Sequence, residues 1–261
     1  MKLSVLIPYF NAEKYVDDLL SSIKPHKDNI EVLFYNDCST DNSEVLLIEG
    51  AKNLGLTFSS YKGSQNIGYQ EAINFLWNKL EEHSLVAFHD ADDLWQANYS
   101  FEVIKCFTNH DLDYVYTNTI RFSDKLTLSN RGKSMGYTVG SGIVFRKSVI
   151  KSNVLFLKCF KGIGCEDLYL MNYLSNNCNG TYLNNVNYLY RYNVASLSFY
   201  NGAIQARIIK SLLKMVSFTS YENTPRSIKI LCSKGVTRSL FVLEIILKPF
   251  RRFRRNLAIR N

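Results

Sequence analysis

Three carboxylates within four positions, Asp90, Asp92 and Asp93, follow directly on an apolar run over 85–88. The run has the length of a buried strand. Carboxylates packed this tightly repel one another unless a cation sits among them or water bathes them. Mg²⁺ and Mn²⁺ take oxygen ligands, often one or two carboxylates together with substrate phosphates. A strand that delivers such a cluster from its carboxyl end fits an open α/β sheet, which binds its ligands at that edge. The same residues also suit a helix N-terminus, where Asp caps backbone amides and meets the dipole favourably.

The chain before this point supports the sheet. Ser4 to Pro8 is a short apolar strand opening onto Tyr9-Phe10-Asn11, and Tyr15, Val16, Leu19, Leu20 and Ile23 then recur at helical spacing until Pro25. Residues 31–35 form a second strand and lead into the polar cluster 36–43, which holds N-cap candidates for a helix over 44–52. A third strand is expected over 56–61. The turn 63–68 enters a helix with Ala72, Ile73, Phe75, Leu76 and Leu80 on its apolar side. Alternation of strand and helix implies right-handed βαβ units and a parallel sheet. The loops after Pro8, Tyr35, Tyr61 and Phe88 would then meet at one crevice. No G-x-G-x-x-G follows the first strand, so a dinucleotide site is not expected, and the absence of a Walker A loop excludes a P-loop. Further on, a helix is expected over 99–107 and strands over 113–122, 141–145 and 181–190.

Charge separates the end of the chain from its body. The protein carries a net +8. From Thr224 onward ten Lys or Arg face one acid, Glu244, so the tail is +9 and the preceding residues sum to −1. A neutral body argues against a nucleic-acid-binding surface and for a basic appendage. Thr224-Pro225 suits a helix start, Leu240, Phe241, Leu243, Ile246 and Leu247 are apolar, and a Lys/Arg/Phe cluster follows. Such a tail is expected to bind an anionic membrane surface. None of the six cysteines forms a C-x-x-C, no signal peptide opens the chain, and no apolar run is long enough to span a bilayer. A cytoplasmic protein, peripheral on the inner face of the cell membrane, is expected.

Four motifs in order resemble the family 2 inverting nucleotide-sugar glycosyltransferases of bacterial surface-polysaccharide type, which have the GT-A fold. Ser4-Val-Leu-Ile-Pro8-Tyr-Phe-Asn11 resembles the family's opening strand. Asn36-Asp37-Cys38-Ser39-Thr40-Asp41 resembles its D-D-G-S-T-D loop, with Asn36 in place of the first Asp and Cys38 in place of Gly. Asp90-Ala-Asp92-Asp93 resembles its D-x-D, and Glu166-Asp167 its E-D helix. Asn66-x-Gly68 and Arg191 with Ser196 and Ser198 add weaker matches.

The resemblance implies a nucleotide-sugar donor, UDP-linked, and a saccharide or lipid-linked acceptor. Asp37 would accept from the uracil N3–H, and Pro8 and Phe10 would line the base and ribose. Asn66 and Gly68 would border the ribose-phosphate. Asp92 would bind Mg²⁺ or Mn²⁺, Asp90 and Asp93 would hold the ribose or order the site, and Arg191 would complete the donor side. Asp167 would be the general base, because inversion requires one on the face opposite the leaving group. Trp95 and Glu166 would border the acceptor. Asp37 and Asp167 also fit as helix-end carboxylates, and Gly68 as a helix-entry glycine. A GT-A domain over 1–200 and a helical extension over 201–261 are expected. A nucleotidyltransferase, or a GT-A carbohydrate-binding protein without catalysis, is the alternative.

Overall fold

The structure, a computed structural model, describes residues 1–122, 140–152, 155–156 and 166–191, apart from the side chains of residues 166, 168, 169 and 172. The expected tail, Ser196, Ser198 and the 201–261 extension lie outside the described residues.

β1 (Leu3–Tyr9), β2 (Ile30–Asn36), β3 (Phe58–Lys62) and β4 (Leu85–Phe88) are joined through α1 (Val16–Ile23), α2 (Ser43–Leu54) and α3 (Tyr69–Trp77). The chain continues through β5 (Leu94–Trp95), α4 (Tyr99–Asn109), β6 (Tyr114–Phe122), β7 (Ile143–Arg146), α5 (Glu166–Asn177) and β8 (Gly180–Arg191). One eight-stranded sheet results, in the order β3-β2-β1-β4-β7-β6-β8-β5. β3, β2, β1 and β4 run parallel, as the alternation predicts. β7 then enters antiparallel to both β4 and β6, while β8 runs parallel to β6. The third strand sits slightly later than expected, and the two-residue β5, paired with β8, has no counterpart in the sequence reading.

The pleat sorts the core into two layers. Val5 and Ile7 of β1, Val32 and Phe34 of β2 and Ala87 of β4 pack with Val16, Leu19, Leu47, Tyr99 and Val103, on the side of α1, α2 and α4. Their neighbours Leu6, Leu33, Tyr35, Val86 and Phe88 pack with Ile73, Leu76, Trp77, Leu170 and Leu174, on the side of α3 and α5. Period-2 alternation sends successive residues to opposite faces. Helices cover both, so these strands read as continuous apolar runs instead of alternating ones.

Pro8 fits this buried strand for a geometric reason. Leu6 O accepts from His89 N, so Leu6 and, two residues on, Pro8 face β4. Pairing between β1 and β4 ends at Leu6–Phe88, and the missing N–H therefore removes no ladder bond. β8 carries a register shift against β6, from Thr117–Leu183 to Asn118–Asn187. The excursion allows the last residues of β8 to run alongside the loop after β4.

Candidate active site

The four loops expected to converge do so at the carboxyl edge of β1, β2, β3 and β4. The first two are laced together by side chains. Asn11 N donates to Ser39 Oγ (3.0 Å), Thr40 N to Asn11 Oδ1 (2.8 Å) and Ala12 N to Ser43 Oγ (2.8 Å). Glu13 accepts from Asn42 N (3.0 Å) and Nδ2 (3.1 Å). Asn42 is the N-cap of α2, yet its side chain makes no cap bond there; Asp41 Oδ1 receives Ser43 N instead (3.1 Å).

Asp37 gathers the third loop. Its carboxylate, only 4% exposed, accepts from Ile67 N at 2.7 Å and Gly68 N at 2.9 Å. Each oxygen has a second lone pair for a ligand donor. Gly68 opens α3 at φ +85°, which only glycine adopts without strain. Its helix-entry role therefore stands alongside any contact with a ligand. Asn66 lies exposed on the same loop, and Phe10, 49% exposed, projects beside the β1 end.

Cys38 holds φ +66°, the left-handed conformation for which related loops use glycine. A Cβ there costs about 1–2 kcal/mol, partly offset by the greater unfolded-state entropy of glycine, about 0.5–1 kcal/mol. Cys38→Gly should accordingly raise the melting temperature by a few degrees in a thermal shift assay. An unchanged or lower value would mean that the thiol's packing outweighs the backbone strain.

The acidic loop meets α5. Asp90 accepts from Ser141 Oγ (3.0 Å) and from the Tyr69 hydroxyl. Burial, followed by the nearby charge of Asp92 and that of Asp167, pushes its carboxyl up to about 7. Asp90, Asp92 and Asp167 thus share one electrostatic environment although 77 residues separate the first from the last. Asp167 is half-buried near the start of α5 and accepts from Gly140 N at 3.2 Å. Glu166 opens that helix, and its side chain is outside those described.

Two expected donor residues lie beneath the site. Asp93 is 1% exposed, and its carboxylate is taken by the Tyr188 hydroxyl (2.7 Å) and Arg191 N (2.7 Å). Burial, then the charges of Asp90 and Asp92, drive it well above the usual carboxylate range. Arg191, 6% exposed, donates from Nε to Asp92 O (2.6 Å) and pairs with Asp18 (2.7 Å). Its guanidinium lies over Tyr15 and Phe122. Both residues tie β8 and α1 to the acidic loop, so their immediate work is to order it.

Trp95 is a correction. It is 3% exposed, stacked on Tyr99 at 4.4 Å and flanked by the rings of His26 and His89, all in the core. Neither histidine is charged at neutral pH, because burial lowers each to about 4. His89 Nδ1–H donates to Asp90 O (2.8 Å), which fixes the peptide that carries the first carboxylate.

The sequence reading missed Tyr69, Gly140, Ser141 and Tyr188. Their links to Asp90, Asp93 and Asp167 cross 21 to 98 residues, which local pattern does not report.

Asp90 and Asp92 follow one another on one loop, the first raised by burial and then by the charge of the second, and such a pair suits a divalent cation. Among the described residues no group of three or more His, Cys, Asp or Glu is placed to hold a metal ion by itself. A hard ion completed by substrate phosphates does not need one. Among the described residues no helix is long and apolar enough to cross a membrane.

The chain is similar to several known proteins. It is 32% identical over 93 residues to the teichoic acid poly(glycerol phosphate) polymerase of Staphylococcus epidermidis, covering 35% of this chain and 13% of that protein. It is 33% identical over 96 residues to the poly(ribitol-phosphate) beta-N-acetylglucosaminyltransferase TarS of Staphylococcus aureus, covering 36% of this chain and 16% of that one. The chain thus spans under a fifth of these relatives' length. The structure of S. aureus TarS 1–349 in complex with UDP superposes with TM-score 0.60 at 24% identity, over 74% of this chain and 61% of that one. The mannosyltransferase of Pyrobaculum calidifontis, with GDP-Man and Mn²⁺, gives 0.59 at 12% identity over 98% and 69%. These likenesses show a shared GT-A type of α/β fold. The family model described as Glycosyl transferase family 2 matches residues 4–175, most of the chain and all four of the ordered motifs from Ser4 to Asp167, and the chain belongs to that family.

Proposed function

We propose that the protein transfers a sugar from a UDP-sugar to a saccharide or lipid-linked saccharide, with inversion at the anomeric carbon. The observation that carries this reading is the linking of Asp90 and Asp167 through the consecutive residues Ser141 and Gly140, beside the Asp37 loop. Transfer with inversion needs a phosphate-and-metal side and a proton acceptor at one crevice, and these carboxylates are the residues proposed for the two roles. The complexes of TarS with UDP and with UDP-GlcNAc support the donor class, and Mn²⁺ in two neighbours supports a divalent ion.

Asp37 keeps acceptor capacity for the uracil N3–H, and Phe10 offers an apolar surface to the base. Asp92 is the residue to hold Mg²⁺ or Mn²⁺, which when bound stabilises charge on the departing diphosphate. The acceptor oxygen bonds to the anomeric carbon as the carbon–diphosphate bond breaks on the opposite face. Asp167 takes the acceptor hydroxyl's proton in the same step. Asp90 borders the donor, while Asp93 and Arg191 keep the acidic loop in place.

Incubation with a panel of UDP- and GDP-sugars, Mn²⁺ and candidate acceptors tests this. A UDP-sugar should be consumed fastest, with NMR showing the product's anomeric configuration opposite to the donor's. Retention, or preference for a GDP-sugar, would contradict the reading. Under the same proposal the basic tail confines enzyme and lipid-linked acceptor to one anionic surface, each basic residue near it contributing about 1 kcal/mol. Full-length protein should sediment with anionic liposomes in a salt-sensitive way, and a chain ending at Leu247 should not. Equal sedimentation of both would contradict the anchor.

A further inference from the structure

The short 3-10 turn Gly140–Gly142, buried throughout, stands between the two halves of the site. Gly140 N donates to Asp167 Oδ2 at 3.2 Å, and the next residue, Ser141, donates from Oγ to Asp90 Oδ2 at 3.0 Å. Consecutive residues thus hold one carboxylate each. The turn is itself anchored: Gly142 O accepts from Thr117 Oγ1 (3.0 Å), Thr117 Oγ1 meets the Tyr99 hydroxyl (3.3 Å), and the chain passes straight into β7, whose Ile143 pairs with Tyr116. Space at Gly140 is closed. A Cβ there would lie 2.4 Å from Asp167 Cβ, which sits next to the backbone and cannot swing aside.

Two consecutive residues hold the carboxylates of Asp90 and Asp167 near one another, and like charges at such separation repel, so unrestrained side chains would turn apart. We propose that Gly140 and Ser141 are positioning residues. Their turn is a strut that sets the carboxyl group of Asp167 against the donor-side acidic loop. This rests on Asp167 being the general base. It adds that the base's placement depends on a close backbone approach which any side chain at position 140 would destroy.

The donor consumed fastest in the panel above, with water or the best acceptor, supplies the assay. Gly140→Ala should lower kcat about 10²-fold, since a displacement near 1 Å costs that much, while donor KM stays within about threefold. In an Asp167→Asn background the same change should cost less than about threefold more, because it acts through a group already disabled. Ser141→Ala removes a single hydroxyl and should lower kcat about tenfold, again absorbed in that background; it serves if Gly140→Ala fails to fold. A crystal structure of either variant should show the Asp167 carboxyl group displaced. Wild-type kcat in both variants, or losses that multiply with that of Asp167→Asn, would overturn the strut. Near-wild-type turnover in Asp167→Asn alone would overturn the base, and the strut with it.

Discussion

Asp167→Asn should lower turnover by a factor on the order of 10²–10⁴ while donor KM changes by no more than about threefold. The loss corresponds to roughly 3–5 kcal/mol of transition-state stabilisation. The substitution is nearly isosteric, and the amide oxygen of Asn can still accept from Gly140 N, the bond that Asp167 makes now. What disappears is the basic oxygen that takes the acceptor's proton. One like charge also leaves the neighbourhood of Asp90, so donor phosphates should bind no more weakly. Steady-state kinetics with the preferred donor decides the matter. Wild-type rates would place the base elsewhere, and a parallel loss of donor affinity would mean that Asp167 shapes the donor side.

The sequence makes the first half of the fold legible because β1, β2 and β4 are continuous apolar runs ending in polar loops. That pattern demands helices on both faces and puts the loops on one edge. The glycine-like turn at Cys38 was also legible, as a departure from a family motif, and the chain does adopt φ +66° there. The entry of β7 antiparallel to β4 was not, since four apolar residues carry no signal for strand direction. Trp95 reads as a ligand-facing aromatic when only its acidic neighbours are considered. Its partners His26 and Tyr99 lie on other elements and claim it for the core. Asp93 and Arg191 look like ligand residues for the same reason. Only the folded chain reveals that the Asp93 carboxylate accepts from the backbone N of Arg191, 98 residues away, while the Arg191 guanidinium pairs with Asp18. The approach of Asp167 to Asp90 follows from the resemblance of Glu166-Asp167 to a family motif and from nothing local.

The stability of the acidic loop separates two possible outcomes of a second substitution. Arg191 Nε binds the backbone oxygen of Asp92, so Asp92→Ala leaves the loop's anchor intact. The Asp92 charge raises both Asp90 and Asp93, and its removal relieves buried repulsion. Without added metal, Asp92→Ala should therefore melt no lower than the wild type. Any loss of binding then reports on the site and not on folding.

Calorimetric titration of UDP in the presence and absence of Mn²⁺, on the wild type and on Asp92→Ala, tests the central claim most directly. The wild type should bind UDP more tightly with Mn²⁺, and EDTA should abolish the gain. In Asp92→Ala the Mn²⁺-dependent part should fall by more than about tenfold, a loss above roughly 1.4 kcal/mol. Mn²⁺-dependent UDP binding undiminished in Asp92→Ala would contradict the assignment of this loop as the metal-diphosphate side of the site.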